Sequence, residues 1–296
     1  MLNRVTNLTM SATAQRSLQT QQSRLAELQE KATSLNKISR PSDDPAATAQ
    51  ALETRSLLAA NAQYGRNIED GKTWLTAADS ALEQATNVMH KIKDLAVQAG
   101  NGALGQGSKD AIAIELTALN QDLVSIANTQ HLGRNIFAGN SDKPEAFSGP
   151  MPPAFNGTGL GPVDRRVSAT QTVRVDADGQ AIFGSGNGSV FEAVKSIADA
   201  LKSGTAPTGS QLGALESGFS NIVNGRAEIG TRQAQLERAG SVNTDLEATL
   251  DAQKMGIEKL DLGSVIMDLK LQETNYQVAL AATARVLQPT LMDFLR

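Results

Sequence analysis

The sequence predicts a mainly α protein: a long antiparallel helical bundle rod with terminal coiled-coil segments and a small β-rich inserted domain. Three observations carry this. Apolar residues recur at three-four spacing through most of the 296-residue chain, the period of a helix with one buried face. Those residues are Ala, Leu, Ile and Val, whereas aromatic side chains make up only 3% and Trp74 is the sole tryptophan. Small aliphatic side chains suit thin helix-on-helix packing better than a deep pocket with aromatic walls. Finally, the stretch over about 140–189 drops the helical period for Gly, Pro, Asp and Thr.

From Arg4 a seven-residue register can be followed, with its apolar seam clearest at Leu18, Leu25, Leu28, Ala32 and Leu35. Asn7 and Gln21 interrupt it, so this helix is weak alone and wants a coiled-coil partner. The segment Arg40-Pro41-Ser42-Asp43-Asp44-Pro45 stops it and starts another. Pro41 disfavours helix before it, Asp44 is a good N-cap, and Pro45 fits the first helical position. The new helix carries a seam at Leu75, Ala78, Leu82, Ala85, Met89, Ile92 and Ala96 up to Gly100. A Gly-rich turn is expected over 101–109, then a returning helix with Ile112, Leu116, Leu119, Leu123 and Ile126.

In the central stretch Thr172 to Val175 alternate, and an Asp178-Gly179 turn before Ile182 and Phe183 reads as part of the β-rich insertion. Helices resume at Val190, with Gly204 ending the first. A long helix follows, seamed at Leu212, Leu215, Phe219, Ile222, Ile229, Leu236, Leu246 and Leu250 and interrupted at Asp261-Leu262-Gly263. The last segment restores the spacing at Ile266, Leu269, Tyr276, Leu280 and Leu287, with Pro289 disturbing its final turn. The expected divisions are therefore 1–40, an N-terminal coiled-coil segment; 41–139, helical rod; 140–189, β-rich insertion; 190–255, helical rod; and 256–296, a C-terminal coiled-coil segment. The two terminal segments each carry half a seam, so both are expected to be disordered in the monomer and helical once paired. The expected interface residues are Leu18, Leu25, Leu28, Leu35, Ile266, Leu269, Tyr276, Leu280 and Leu287.

Composition narrows the function classes. The net charge of -4 points to neither a nucleic-acid binder nor an acidic solvating protein. Residues 1–40 hold six Lys or Arg against Glu27 and Glu30, a balance of +4 that leaves -8 on the rest. Such an acid-poor start fits an organelle transit peptide or a solvated helix that continues into the body of the protein. Cysteine is absent, which removes disulfides, thiol nucleophiles and thiolate metal sites. The longest apolar run, from Val278 to Ala282, is far short of the roughly 20 residues that span a bilayer. No membrane insertion is expected.

Candidate chemistry is sparse. His90 and His131 lack flanking metal-ligand spacing, so no metal site is expected. Gly102 and Gly107 stand at phosphate-loop spacing, but Ser108-Lys109 reverses the required order of lysine and hydroxyl, and a helix-helix turn explains the glycines. Asp43-Asp44 reads as a capping pair rather than a catalytic one. Arg165-Arg166 reads as a solvated strand end, and Trp74 with Tyr64 as packing. No catalytic residue or cofactor site is assigned, and the chain is expected not to be an enzyme.

Several stretches resemble the flagellins and their hook-associated relatives: Ile38 through Ala46, Tyr64-Gly65-Arg66-Asn67-Ile68, Asp79 to Ala85, Leu95 to Gly102, Gly225 to Gly230, Leu260-Asp261-Leu262, Gln272 through Ala282 and the closing Thr290 to Arg296. Within that family the start Asn3-Arg4-Val5-Thr6, the small insertion and the Asp293-Phe294-Leu295 ending look like the members that join hook to filament, with flagellin itself as the alternative. Two departures stand out: Leu35-Asn36 replaces the usual Ser-Gly before the bend, and Pro289 sits where a helix former is usual. The resemblance implies a bacterial motility role as a homo-oligomer in the extracellular axial structure, exported through the flagellar type III pathway. It also implies a neighbouring hook-associated protein, flagellin and a flagellar export chaperone as partners. A cytosolic coiled-coil scaffold would share the heptads without needing the insertion or the capped bend.

Overall fold

The structure is a computed structural model that describes residues 2–38, 40–101, 104–157, 159 and 161–292, with side chains described between residues 9 and 284. Its chain divides into two units, Met1–Ala59 with Glu247–Arg296, and Ala60–Leu246. The described elements run α1 (Leu2–Ser34), α2 (Pro45–Ala99), α3 (Gln106–Ala127), six short strands β1–β6 between residues 130 and 174, α4 (Gly179–Phe183), α5 (Val190–Lys202), α6 (Gly209–Glu258) and α7 (Leu262–Met292). The fold is mainly α with a small β-containing region, as the apolar spacing predicts.

Helix α2 starts where the sequence places it. Asp44 Oδ1 accepts from the Ala47 amide at 2.9 Å, and Asp43 turns back to accept from the Arg40 amide at 2.9 Å. These bonds satisfy donors at the bend and fix where Pro45 begins the helix. In the unit Ala60–Leu246, the stripe Leu75, Ala78, Leu82, Ala85, Met89, Ile92 and Ala96 is 0% exposed throughout. It joins Leu116 and Leu123 of α3, Ile197 and Leu201 of α5, and Leu215, Ile222, Ile229 and Leu236 of α6 in one core. Helix α3 begins at Gln106, earlier than the predicted turn allows. Lys109 explains part of this shift: its ammonium donates to the Gly204 carbonyl at 2.7 Å. The lysine of the phosphate-loop-like spacing therefore caps the loop after α5, and Gly102 lies outside the described residues.

The β region consists of three two-stranded antiparallel ladders: β1 (Gln130–His131) with β2 (Arg134–Asn135), β3 (Phe147–Ser148) with β4 (Ala154–Phe155), and β5 (Asp164–Arg166) with β6 (Thr172–Arg174). Ladders this short need other anchors. Five phenylalanines, Phe137, Phe147, Phe155, Phe183 and Phe191, supply one, with ring centroids 5.1–5.8 Å apart. Phe183 does not follow a hairpin turn. Asp178 instead caps α4 by accepting from the Ala181 amide at 3.1 Å, and an added Cβ at Gly179 would lie 2.5 Å from the Phe137 carbonyl.

A buried charge supplies the second anchor. Asp176 is 0% exposed. Its carboxylate accepts from the Val163 amide at 2.8 Å and from two nitrogens of Arg174, each at 2.9 Å, while Arg232 of α6 donates to its carbonyl at 2.7 Å. The bond to Asp176 is the chief reason that the Arg174 guanidinium holds its proton more tightly than usual. Arg165 is also engaged: it donates to Asp70 of α2 at 2.6 Å, so the strand end read as solvated is tied to the helix. Two close approaches lock α6 in place. Cβ atoms added at Gly218 and Gly225 would meet Val190 at 2.8 Å and Ile182 at 2.6 Å.

Leu82→Ala is expected to cost about 2–5 kcal/mol, the range for truncating a fully buried leucine. His90→Ala, which loses an edge contact to Phe219, is expected to cost about 1 kcal/mol or less. Asp176→Ala is expected to cost about 3 kcal/mol, at the low end for breaking a buried pair because Arg174 keeps some solvent access. Urea unfolding of the purified chain measures all three, and an unchanged midpoint for Leu82→Ala would contradict the core described above.

Candidate assembly interface

In the unit Met1–Ala59 with Glu247–Arg296, α1 and α7 lie against each other. The covered positions on α1 are Ser11, Ala14, Leu18, Gln21, Leu25, Leu28 and Ala32, alternating three and four residues apart. On α7 they are Val265, Leu269, Gln272, Tyr276, Ala279 and Thr283, spaced in the same way. This is the seam geometry of a two-helix coiled coil. Gln272 donates from its side-chain amide to the Gln21 carbonyl at 3.3 Å, and Asn36 bridges Lys259, so the helices run antiparallel. The polar Gln21 that weakens α1 alone therefore sits within the pairing face.

A clasp sets the register at one end. Leu35 follows α1 at φ 57°, the left-handed region, with its amide on the Lys31 carbonyl at 3.0 Å. Its own carbonyl accepts from the Leu260 amide at 3.3 Å, and the Lys37 amide donates to the Glu258 carbonyl at 2.8 Å. Arg55 of α2 adds an ion pair to Glu258 at 2.7 Å, and this hydrogen bond is the first cause of its raised pKa. Both partners touch solvent, so the pair contributes position more than stability. Asp261 then starts α7, accepting from the Gly263 amide at 3.0 Å. The interruption expected at 261–263 is thus a capped boundary between α6 and α7.

Leu18, Leu25, Leu28, Leu269 and Tyr276 fall on the covered faces. Leu35, Ile266 and Leu280 do not: they are 51%, 46% and 43% exposed. Val265 takes the seam position beside Ile266, and Ala279 the one beside Leu280. The backbone of Leu287 continues α7, and its side chain lies outside the described residues. The seam also includes small or amide side chains, Ala279, Thr283 and Gln272.

Met267, Leu271 and Val278, outside the expected interface set, are 70%, 63% and 63% exposed. Their spacings of four and seven put them on one stripe of α7, away from the covered face. This second apolar stripe was legible in the spacing. Helix α7 is therefore apolar on two sides with only one side covered. Val265, Ala51 and Leu250 are the only buried apolar residues of this unit among the described ones. Chemically the surface can bury apolar area and exchange amide hydrogen bonds. Among the described residues, no three His, Asp or Glu side chains gather as a metal site. His131 packs edge-on to Trp74 with ring centroids 5.5 Å apart.

Residues 5–142 match the bacterial flagellin N-terminal helical region. Flagellar hook-associated protein 3 of Salmonella typhimurium is 25% identical over 268 residues, covering 82% of this chain and 84% of that protein. The flagellar filament 31.3 kDa core protein of Treponema maltophilum is 26% identical over 88% of this chain and 86% of its own length. The fold is similar to that of the flagellar junction protein from Legionella pneumophila, with a TM-score of 0.59 over 71% of this chain and 99% of that one at 16% identity.

Leu35→Asn is expected to stabilise the clasp by about 0.5–1 kcal/mol. Asparagine tolerates the left-handed conformation that costs leucine about 1–2 kcal/mol, and the exposed leucine side chain contributes little packing. Slower amide exchange at Lys37 and Leu260 is the readout; faster exchange would mean that the leucine side chain outweighs the backbone strain.

Proposed function

We propose that this chain, whose residues 5–142 match the flagellin N-terminal region and which is similar over most of its length to hook-associated protein 3, is a structural subunit of the bacterial flagellum that forms the junction between hook and filament. Self-assembly proceeds through α1 and α7. The observation that carries this reading is the unit formed by Met1–Ala59 and Glu247–Arg296, in which α7 pairs with α1 on one side and leaves Met267, Leu271 and Val278 bare on another. An apolar stripe of this kind marks a surface for another chain.

Few buried side chains hold this unit together, so its helices gain order from neighbours. In this reading residues 1–40 and 256–296 are loose in the monomer and set only on assembly, when burial offsets the entropy of ordering them. The partners are further copies of the same chain, a neighbouring hook-associated protein and flagellin. Export through the flagellar type III pathway, with a chaperone on the C-terminal helix, places the protein outside the cell as part of the axial structure. A structural role needs no catalytic group, and neither histidine stands in a cluster of donors. No described helix is long and apolar enough to cross a membrane.

The match to the flagellin N-terminal region and the filament-protein relative give a second reading, that of a filament subunit. Deletion of the gene separates the two. Loss of a junction protein leaves hooks intact and spills filament protein into the medium, whereas loss of a filament subunit leaves hooks with nothing to spill.

Leu271→Asp places a charge on the uncovered stripe, where burial against a neighbour without a counter-charge costs several kcal/mol. Thermal unfolding and helix content of the purified monomer are expected to match the parent, with export intact in culture medium and incorporation at the hook tip lost. Tyr276→Asp strikes the α1–α7 seam, which sets only on assembly, so the monomer is again expected to match the parent while incorporation is lost. A Leu271→Asp strain that swims normally would remove the stripe from the assembly surface.

A further inference from the structure

A groove of about 510 Å³ lies between the first turns of α5 and the facing side of α6. Its lining is hydroxyl- and amide-rich, including Ser196, Gln211, Ser217 and Asn221, with Phe183 at its base, and no Lys, Arg or His takes part. Glu192 is the only ionisable side chain in that lining. Its Oε2 is buried and has no hydrogen-bond partner among the described residues.

The position of Glu192 makes this unusual. It stands third after the N-cap Ser189, where a glutamate commonly turns back to the cap's own amide. Here the Ser189 amide is already bonded to the Gly186 carbonyl at 3.1 Å, which leaves the carboxylate free of that duty. The nearby donors are also engaged. Gln211 gives its amide to the Ser196 carbonyl at 2.9 Å, and Lys195, one turn along α5, is bonded to Asp199 at 2.8 Å, with Glu192 acting on it only as a lesser, through-space charge. A carboxylate oxygen turned from water without a donor is unfavourable, and a charged donor supplied from outside relieves it most.

We propose that this groove is a binding site for a primary ammonium group on a slender alkyl stem, with Glu192 as its charge partner and the serine hydroxyls and Asn221 completing the ammonium's hydrogen bonds. Three donors on a compact head suit a cluster of separate acceptors, and the absence of any basic residue in the lining argues against an anion. The stem lies along Ala214, the exposed apolar side chain of the lining, with Phe183, Val190 and Ala193 buried beneath. This chemistry has two sources: a free aliphatic amine, or a lysine side chain of a neighbouring subunit in the assembled structure. The site itself does not depend on the junction reading; only the second source does.

The experiment titrates the full chain with 1,5-diaminopentane and, in parallel, with the neutral 1,5-pentanediol, following the Glu192 carboxyl carbon and the Ser196 and Ser217 amides by nuclear magnetic resonance. Saturable shifts with the diamine, absent with the diol and at least tenfold weaker in Glu192→Gln, are expected. Thermal unfolding of Glu192→Gln should match or exceed the parent, because the isosteric amide removes the unpartnered carboxylate oxygen. Equal binding by Glu192→Gln, equal binding of the diol, or no saturable shift with the diamine would each overturn the proposal. With diamine binding established, Glu192→Gln subunits that are also lost from the flagellum on shearing identify a neighbour's lysine as the source; normal retention identifies a free amine. A chain that binds diamine at Glu192 yet is absent from flagella would overturn the junction reading and leave the site standing.

Discussion

Complete removal of the Leu75-to-Ala96 stripe from water is the constraint to which the larger unit conforms. Seven positions of one helix at 0% exposure need cover along their whole length, and neighbouring helices supply it. Alanine recurs among them, so the covering helices approach closely and few aromatic rings fit between. The phenylalanines gather instead where the helical period stops. There they act as a small second core that anchors three ladders too short to stand alone. Asp176 adds direction to that anchor by joining Val163, just before β5, to β6 and α6 through its carboxylate and its backbone carbonyl.

The smaller unit follows a different rule. Its α1–α7 seam has the right spacing but contains Gln21, Gln272 and Thr283, and most of its residues are only half covered. Register there comes from discrete bonds at one end: the Leu35 and Lys37 backbone contacts and the Arg55–Glu258 pair. An interface specified by backbone bonds and small side chains keeps its geometry without requiring great stability. That combination leaves the outer face of α7, with Met267, Leu271 and Val278, open to solvent.

The sequence made most of this visible where one local rule decided the outcome. Asp44-Pro45 marks a helix start by capping chemistry alone, and the α2 stripe follows from spacing alone. The misses share a tertiary cause. Ile182 and Phe183 read as part of the β-rich insertion until Asp178 is seen to cap α4, and Asp176 looks like any loop aspartate until Arg174 and Val163 surround it. Ile266 and Leu280 drew attention by size, yet Val265 and Ala279 occupy the seam because close helix approach there favours position over bulk. Arg55 and Glu258 lie 203 residues apart, a pairing that no local pattern announces.

The glycine contacts of α6 have a mechanical meaning. Gly218 and Gly225 stand two helical turns apart, and each receives an aliphatic side chain from the neighbouring layer, Val190 in one case and Ile182 in the other. A smooth helix could slide along its neighbours under load with only gradual loss of contact. Helix α6 is notched, so axial sliding would carry Val190 and Ile182 out of the glycine notches toward side chains three and four positions away on the same face. The two notches therefore resist axial slippage of α6 against the layer that carries Val190 and Ile182.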